Sequence, residues 1–392
     1  MKALPFATAK KIIFGRGAVE QLSDVLKALC SGKIAVITDE NVSKVGPLDA
    51  VTGVLDKAGL EYGIWDKAEA EPSIESAEVA IQFVREGNYS AVVGLGGGSV
   101  IDTAKAAAVA LTNPGNLSDW VKQVFTNPMG PLVLMPTTAG TGSEVSNAGV
   151  FATADFKYAL YSPLMYPDIA LVDPDFTITV PAHITANTGV DALCHAMEAY
   201  ISLKSTPITD ALALQAIKLI PDNLRAAYAC GDNMEARTNM SLAALLAGMA
   251  FGSAGTVIGH ACGYASVFPS TKFHFPHGYS IAITMPYVLE YNAIANMEKH
   301  ATMAALLGES IEGLSLRDAA ISCAMAFKKL LADLNFPTSI KEVGVTKDMI
   351  PDIAKNVFKS TAHVPRNPRK ITEEEMVKLF EKAYRGKLDC EQ

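Results

Sequence analysis

The strongest constraint on the fold is a change of hydrophobic period near residue 180. Before it, the short apolar runs KIAVITD (33–39), YGIWD, YSAVVGLGG, PLVLMPTT and IALVDP alternate with the amphipathic stretches VGPLDAVTGVLDKAGL and SIESAEVAIQFVREG. Short runs separated by helices of this length predict βαβ units and a mainly parallel sheet. After Pro181 the segments DALCHAMEAYISL, TDALALQAIKLIPDNLRAAY, MEARTNMSLAALLAGMAF, LRDAAISCAMAFKKLLADL and EEEMVKLFEKAYRG all carry helical periodicity. The expected fold is an α/β N-terminal dinucleotide-binding domain over 1–182, followed by an all-α C-terminal domain over 183–392. PDFTITVPAHIT supplies the turn and capping residues at the join. With 392 residues the chain has room for two cores, since a single core rarely grows past roughly 250–300 residues.

Charge and cysteine usage narrow the function classes. Lys and Arg number 33 against 41 Asp and Glu, a net charge of −8, so no surface for a polyanion is advertised and nucleic acid is excluded as an expected partner. The six cysteines are scattered without paired spacing, which suits reduced thiols and a cytoplasmic setting. The start MKALPFATAKKIIFG lacks the long apolar run of a secretory signal. From Arg237 to Lys272 there is no charge other than His260, but glycines interrupt the stretch. A buried helix of the second domain is expected there, and no membrane contact.

Two loops carry the marks of a dinucleotide cradle. AVVGLGGGSVIDTAKAAA reads as a strand, a glycine turn at Gly97 and Gly98, and a helix whose N-terminus offers unbonded amides to phosphate. Ser99 adds a hydroxyl, and Asp102 lies in the first turn. MPTTAGTGSEVS again follows a strand and supplies Thr137, Thr138 and Thr141. Such turns also occur as plain helix caps; two of them after successive strands favour the cradle.

Histidine is scarce, with seven in the chain. Asp191 and His195 stand at i and i+4 in GVDALCHAMEAY, on one helix face, a spacing that makes half of a divalent metal site or an ordinary helix contact. His260 lies inside the apolar stretch, where a neutral imidazole needs a reason for burial, and His277 stands in FHFPHGYS. One carboxylate with three imidazoles would suit Fe²⁺ or Zn²⁺ alike.

Taken together, FGRGAVEQL, GGGSVIDTAK, PTTAGTGSEV, GVDALCHAMEAY, FPHG and RNPRKIT, in this order, resemble the iron-containing (group III) alcohol dehydrogenase family over essentially the whole chain. The resemblance implies a metal held by Asp191, His195, His260 and His277. It implies NAD(H) bound by Gly97, Gly98, Ser99 and Asp102, with Thr137, Thr138 and Thr141 lining the cofactor and Lys157 close by. It also implies a homodimer or larger homo-oligomer. Where the family usually has a histidine four residues after His260, this chain has Tyr264, as in the hydroxyacid–oxoacid transhydrogenase branch. The interval before His277 is also longer and contains PSTKFHF.

The expected reaction is hydride transfer between NAD(H) and a small primary alcohol or aldehyde, with a metal that lowers the alcohol pKa or polarises the carbonyl. Tyr264 and His274 are the candidate proton-handling residues. Lys272 would favour a substrate with a carboxylate, sulfonate or phosphonate tail. Asp39, at the end of the second strand, would accept from the ribose 2′-OH and repel the 2′-phosphate of NADP(H), or would simply cap the helix that follows. The competing expectations are a transhydrogenase that retains its cofactor and a non-catalytic nucleotide-binding scaffold.

Overall fold

The structure, a computed structural model, describes residues 3–123, 125–152, 157–267 and 277–391, with the backbone alone at 157, 266 and 267. Lys272 and His274, both singled out in the sequence, therefore lie outside the described residues.

Six strands form one parallel sheet: β1 (Lys11–Phe14), β2 (Ile34–Ile37), β3 (Tyr62–Trp65), β4 (Ala91–Gly96), β5 (Leu132–Pro136) and, last in sequence, β8 (Ile169–Val172), in the order β1-β8-β5-β4-β2-β3. An antiparallel pair, β6 (Ala148–Ala152) and β7 (Lys157–Tyr161), stands apart from it. Helices α1 (Leu22–Leu29), α2 (Pro47–Lys57), α3 (Ile74–Glu86), α4 (Gly98–Ala110) and α5 (Leu117–Lys122) fill the intervals. The inner strands β2, β4, β5 and β8 are buried on both faces, as a parallel sheet requires, while the edge strands β1 and β3 are only partly covered. On one side Val36, Val93, Leu95 and Val133 pack with Leu22, Leu26, Val51 and Leu55; on the other Ile37, Val92 and Leu134 pack with Ala80, Val84, Ile101 and Ala104.

The chain leaves β2 toward β3 but leaves β4 toward β5, the opposite direction. Adjacent strands whose connections diverge open a crevice at their carboxyl ends, where such sheets bind ligands. Ile37 pairs with Gly94, so Asp39 stands level with Gly96 at that crevice.

The rest is helical: α6 (Ala182–Ile201), α7 (Pro207–Ala229), α8 (Met234–Ala254), α9 (Ile258–Val267), α10 (His277–Asn292), α11 (Met297–Leu306), α12 (Leu316–Asp333), α13 (Ile350–Val357) and α14 (Glu373–Arg385). The chain divides into two compact units, and neither is one continuous stretch as the sequence division at 182/183 supposed. The α/β unit comprises Ala7–Pro181 with Gly231–Gly248, and the helical unit Met1–Phe6, Ala182–Cys230 and Met249–Gln392. Arg237 explains why 231–248 joins the α/β unit: its guanidinium donates to the carbonyls of Gly231 (2.9 Å) and Val180 (2.9 Å). No single helix among the described residues is long and apolar enough to cross a membrane. Met234–Ala254 and Ile258–Ala265 pass together on length and composition, but the chain bends by 99° between them.

Candidate active site

Within the α/β unit the two predicted loops meet. Thr137 N–H donates to Gly96 O at 3.0 Å, continuing the β4–β5 ladder past the strand ends. A Cβ placed on Gly98 would lie 2.6 Å from Thr141 Cγ2, closer than real contacts allow, so only glycine admits the second loop against the start of α4. A Cβ on Gly97 would stand 3.5 Å from Thr138 Oγ1. The free amides at the α4 N-terminus thus share one place with a threonine-rich loop, a combination suited to phosphate.

Two predicted residues here are occupied by the protein itself. Ser99 Oγ accepts from Glu71 N–H (3.1 Å). Asp102 accepts from Ser143 Oγ (2.6 Å) through one oxygen and from Val150 N–H (2.9 Å) through the other, so it ties α4 to the second loop and to β6. Beneath it lies Lys105, which sequence reasoning passed over. Fully buried, its ammonium donates to Ser143 Oγ (2.8 Å), Ser146 Oγ (3.1 Å) and Ala148 O (2.6 Å). Burial pushes Lys105 down to about 8 and buried Glu144 up to about 7, and raises Asp102. Asp39 caps the short turn Val42–Lys44: its Oδ1 accepts from Asn41 N–H (2.8 Å) and Val42 N–H (3.1 Å). Lys157 opens β7 opposite Ala152.

Within the helical unit, Asp191 from α6, His260 from α9 and His277 from the first residue of α10 each offer a ligand atom, and these atoms all lie within 4.8 Å of one another. His195 stands beside this group, one turn beyond Asp191 on α6. Its Nδ1 is 3.8 Å from Asp191 Oδ2, and its ring stacks on those of His260 (centroids 4.5 Å) and Phe251 (4.3 Å). The Tyr264 ring stacks on His277 at 4.9 Å and meets His260 edge-on at 6.3 Å.

The residue that organises this group went unread in the sequence. Glu198, three positions after His195 on the same helix and fully buried, accepts from Val257 N–H (3.1 Å), His260 N–H (3.0 Å) and His260 Nδ1 (2.6 Å). A carboxylate only accepts, so Nδ1 carries a proton toward Glu198, and Nε2 faces Asp191 Oδ1 at 3.8 Å. That Nε2 is buried and has no hydrogen-bond partner among the described residues. A Cβ on Gly259 would collide with Glu198 Oε1, so glycine is what lets the carboxylate reach the start of α9. Gly278 does the same for α10: a Cβ there would lie 2.8 Å from Asn187 Oδ1 of α6.

Burial works against a charged His260, but Glu198 and Asp191 outweigh it and raise its pKa. Two buried carboxylates beside these imidazoles call for positive charge in the pocket, which a proton on His260 or a bound cation supplies. An orphaned imidazole nitrogen beside a carboxylate and a second imidazole fits a divalent ion, with Glu198 holding the ligating ring by its far nitrogen.

Comparison with known proteins agrees across both units. Residues 9–174 match the iron-containing alcohol dehydrogenase family, and residues 185–384 match the C-terminal part of the Fe-containing alcohol dehydrogenase family. Sulfoacetaldehyde reductase of Bilophila wadsworthia is 37% identical over 379 residues, covering 95% of this chain and 97% of that protein. Among solved structures, 1,3-propanediol oxidoreductase superposes with a TM-score of 0.93 at 36% identity, covering 98% of this chain and 100% of that one. Sulfoacetaldehyde reductase from Bifidobacterium kashiwanohense, solved in complex with NAD⁺, superposes with a TM-score of 0.87 at 27% identity, covering 98% and 99%. On these matches, together with the parallel sheet and the Asp–His group, the chain belongs to the iron-containing alcohol dehydrogenase family and is an oxidoreductase of alcohols and aldehydes.

Proposed function

We propose that the chain interconverts small aldehydes and primary alcohols with NAD(H), at one divalent cation held by Asp191, His260 and His277 with His195 beside them. The observation that carries this reading is the buried, unpartnered Nε2 of His260, set between a carboxylate and a second imidazole. When bound, NADH supplies the hydride, and Fe²⁺ or Zn²⁺ supplies the Lewis acidity that polarises a carbonyl or lowers the pKa of an alcohol.

The chain's own residues do the rest. Glu198 fixes the His260 ring and its tautomer, so that no reorganisation is needed when a ligand binds. Gly97 and Gly98 expose the α4 amides to pyrophosphate, and Thr137, Thr138 and Thr141 line the same crevice. Asp102 and Lys105 act from beneath, fixing that second loop. Tyr264 packs on His277 and fills the space beside the metal group. A homodimer or larger homo-oligomer and a cytoplasmic setting belong to this reading too; six cysteines scattered without paired spacing suit a reducing compartment.

The test is an aldehyde panel with NADH on protein loaded separately with Fe²⁺ and Zn²⁺. His277→Ala should lose turnover and most of the bound metal, because an incomplete shell holds a divalent ion poorly. Retained metal with near-normal turnover overturns the assignment. Turnover that needs no added NAD(H) moves the chain to the transhydrogenase reading.

A further inference from the structure

Arg366 stands out among the cations of the helical unit. Its guanidinium makes no hydrogen bond or ion pair among the described residues, yet the residue is half-buried. The other partly buried cations there are engaged: Arg225 by Asp333, Lys299 by Asp210, Lys328 by Glu391, Lys382 by Glu290, and Arg369 by Glu375 and the Tyr291 ring. A guanidinium drawn out of water without an anion is unfavourable unless something else supplies the negative charge.

Its place is fixed by the backbone around it. Arg366 closes the short turn Val364–Arg366; its N–H donates to His363 O (3.0 Å), and its carbonyl accepts from Leu203 N–H (2.9 Å). The side chain then lies across Gly255, just past the end of α8: a Cβ on Gly255 would stand 2.7 Å from Arg366 Cζ and 2.8 Å from Cδ. Gly255 N–H donates to Phe251 O (2.7 Å), and the Phe251 ring stacks on His195. From the other side, buried His363 lies parallel to His260 (centroids 6.4 Å, 5°) and 5.7 Å from the Tyr264 ring, with Nδ1 held by Ser360 Oγ. Arg366 is thus linked to the His195 ring through Gly255 and Phe251, and to the His260 ring through its backbone bond to His363.

We propose that Arg366 is the subsite for an anionic tail on the substrate, a sulfonate or carboxylate carried by a short aldehyde whose carbonyl end is taken at the Asp191–His260–His277 group. This rests on the metal-site reading above and names its substrate class. The planar guanidinium presents a fork of donors that matches a sulfonate or carboxylate edge.

The test compares wild type with Arg366→Gln and Arg366→Lys. It reads kcat/KM for sulfoacetaldehyde, succinic semialdehyde and propanal, and the binding of isethionate to metal-loaded protein by calorimetry. The preference for either anionic aldehyde over propanal should fall roughly ten- to hundredfold in Arg366→Gln, the range expected for one charge-assisted contact, and less in Arg366→Lys. A preference that stays within about twofold, or a wild type that prefers propanal, overturns the subsite. If wild type reduces none of the aldehydes, the reductase reading fails, and isethionate still decides the subsite. At least roughly tenfold weaker binding to Arg366→Gln than to wild type supports it; equal binding, or none to wild type, overturns it.

Discussion

At the scale of single residues, chemistry is set by partners that lie far apart in sequence. Asp39 shows the two demands on one carboxylate. Its Oδ1 is committed to capping Val42–Lys44, while its position level with Gly96 puts negative charge at the crevice where a ribose would lie. The two roles separate by substitution. Asp39→Asn keeps a capping oxygen and removes the charge, whereas Asp39→Gly removes both at a cost of about 1 kcal/mol or less. If the charge selects NADH, both variants should gain NADPH efficiency relative to NADH by roughly tenfold or more in steady-state assays. If only the cap matters, neither preference moves and only the glycine variant loses stability. Glu198→Gln makes the parallel case at the metal group. Without the carboxylate to fix Nδ1–H, metal affinity should fall roughly ten- to a hundredfold, read as metal retained after dialysis; unchanged retention would leave Glu198 as no more than a cap for α9. Asp191, His195 and His260 were legible because imidazole is scarce and helical spacing puts the first two on one face. Glu198 sits on the same helix as Asp191 and His195, and Lys105 on the same helix as Asp102, but neither was legible. A buried carboxylate or ammonium looks like an exposed one until the distant Val257, Ser146 or Ala148 that bonds it is in place.

At the scale of elements, strong patterns were readable and short ones were not. β2, β4, β5 and β8 are runs buried on both faces, which leave nearly continuous apolar sequence. β1 is four residues at the sheet edge, KIIF, and its pairing with β8 is decided more than 150 residues away. The β6–β7 hairpin was missed because it continues the hydroxyl-rich loop without a two-residue turn signal. What anchors that hairpin and loop to α4 is the Asp102–Ser143–Lys105 network, with Glu144 alongside, and the network predicts a pH dependence. Glu144 has its folded pKa raised to about 7, so it contributes stability below its unfolded value of 4.5 that is lost as pH rises through 7. Lys105 has its folded pKa lowered to about 8, so stability returns only as pH climbs from 8 toward 10.5. Denaturant midpoints of the wild type should therefore fall between pH 5 and 8. Glu144→Gln should flatten that fall and be more stable at pH 8 by about 1–3 kcal/mol, with Asp102 still facing Lys105. Curves that run parallel at all pH values would remove Glu144 as their cause.

At the scale of the molecule, two compact units each carry one candidate ligand site, and that division makes the assignments separable by experiment. A ligand that binds only the folded form protects the amides whose opening would release it, by RT ln(1 + [L]/Kd), about 2.7 kcal/mol at a hundredfold excess over Kd. Zn²⁺ should slow hydrogen exchange at the end of α6, the start of α9 and the start of α10, the three places that supply Glu198, His260 and His277. NAD⁺ should instead slow exchange around Asp39, at the start of α4 and in the loop from Thr137 to Ser146, which share the crevice at the carboxyl ends of β2, β4 and β5. His277→Ala sharpens the test, because it removes a ligand from the first set and touches nothing in the second. The variant should lose Zn²⁺ protection of α6, α9 and α10 while NAD⁺ protection of the loops persists. Were Zn²⁺ to protect the loops and leave those helices exchanging freely, the metal would bind elsewhere and the Asp191 group would be a core contact. Were His277→Ala to lose both patterns together, the substitution would have unfolded the helical unit, and His277→Gln, which keeps a side chain of similar reach without the imidazole, would be the variant to measure.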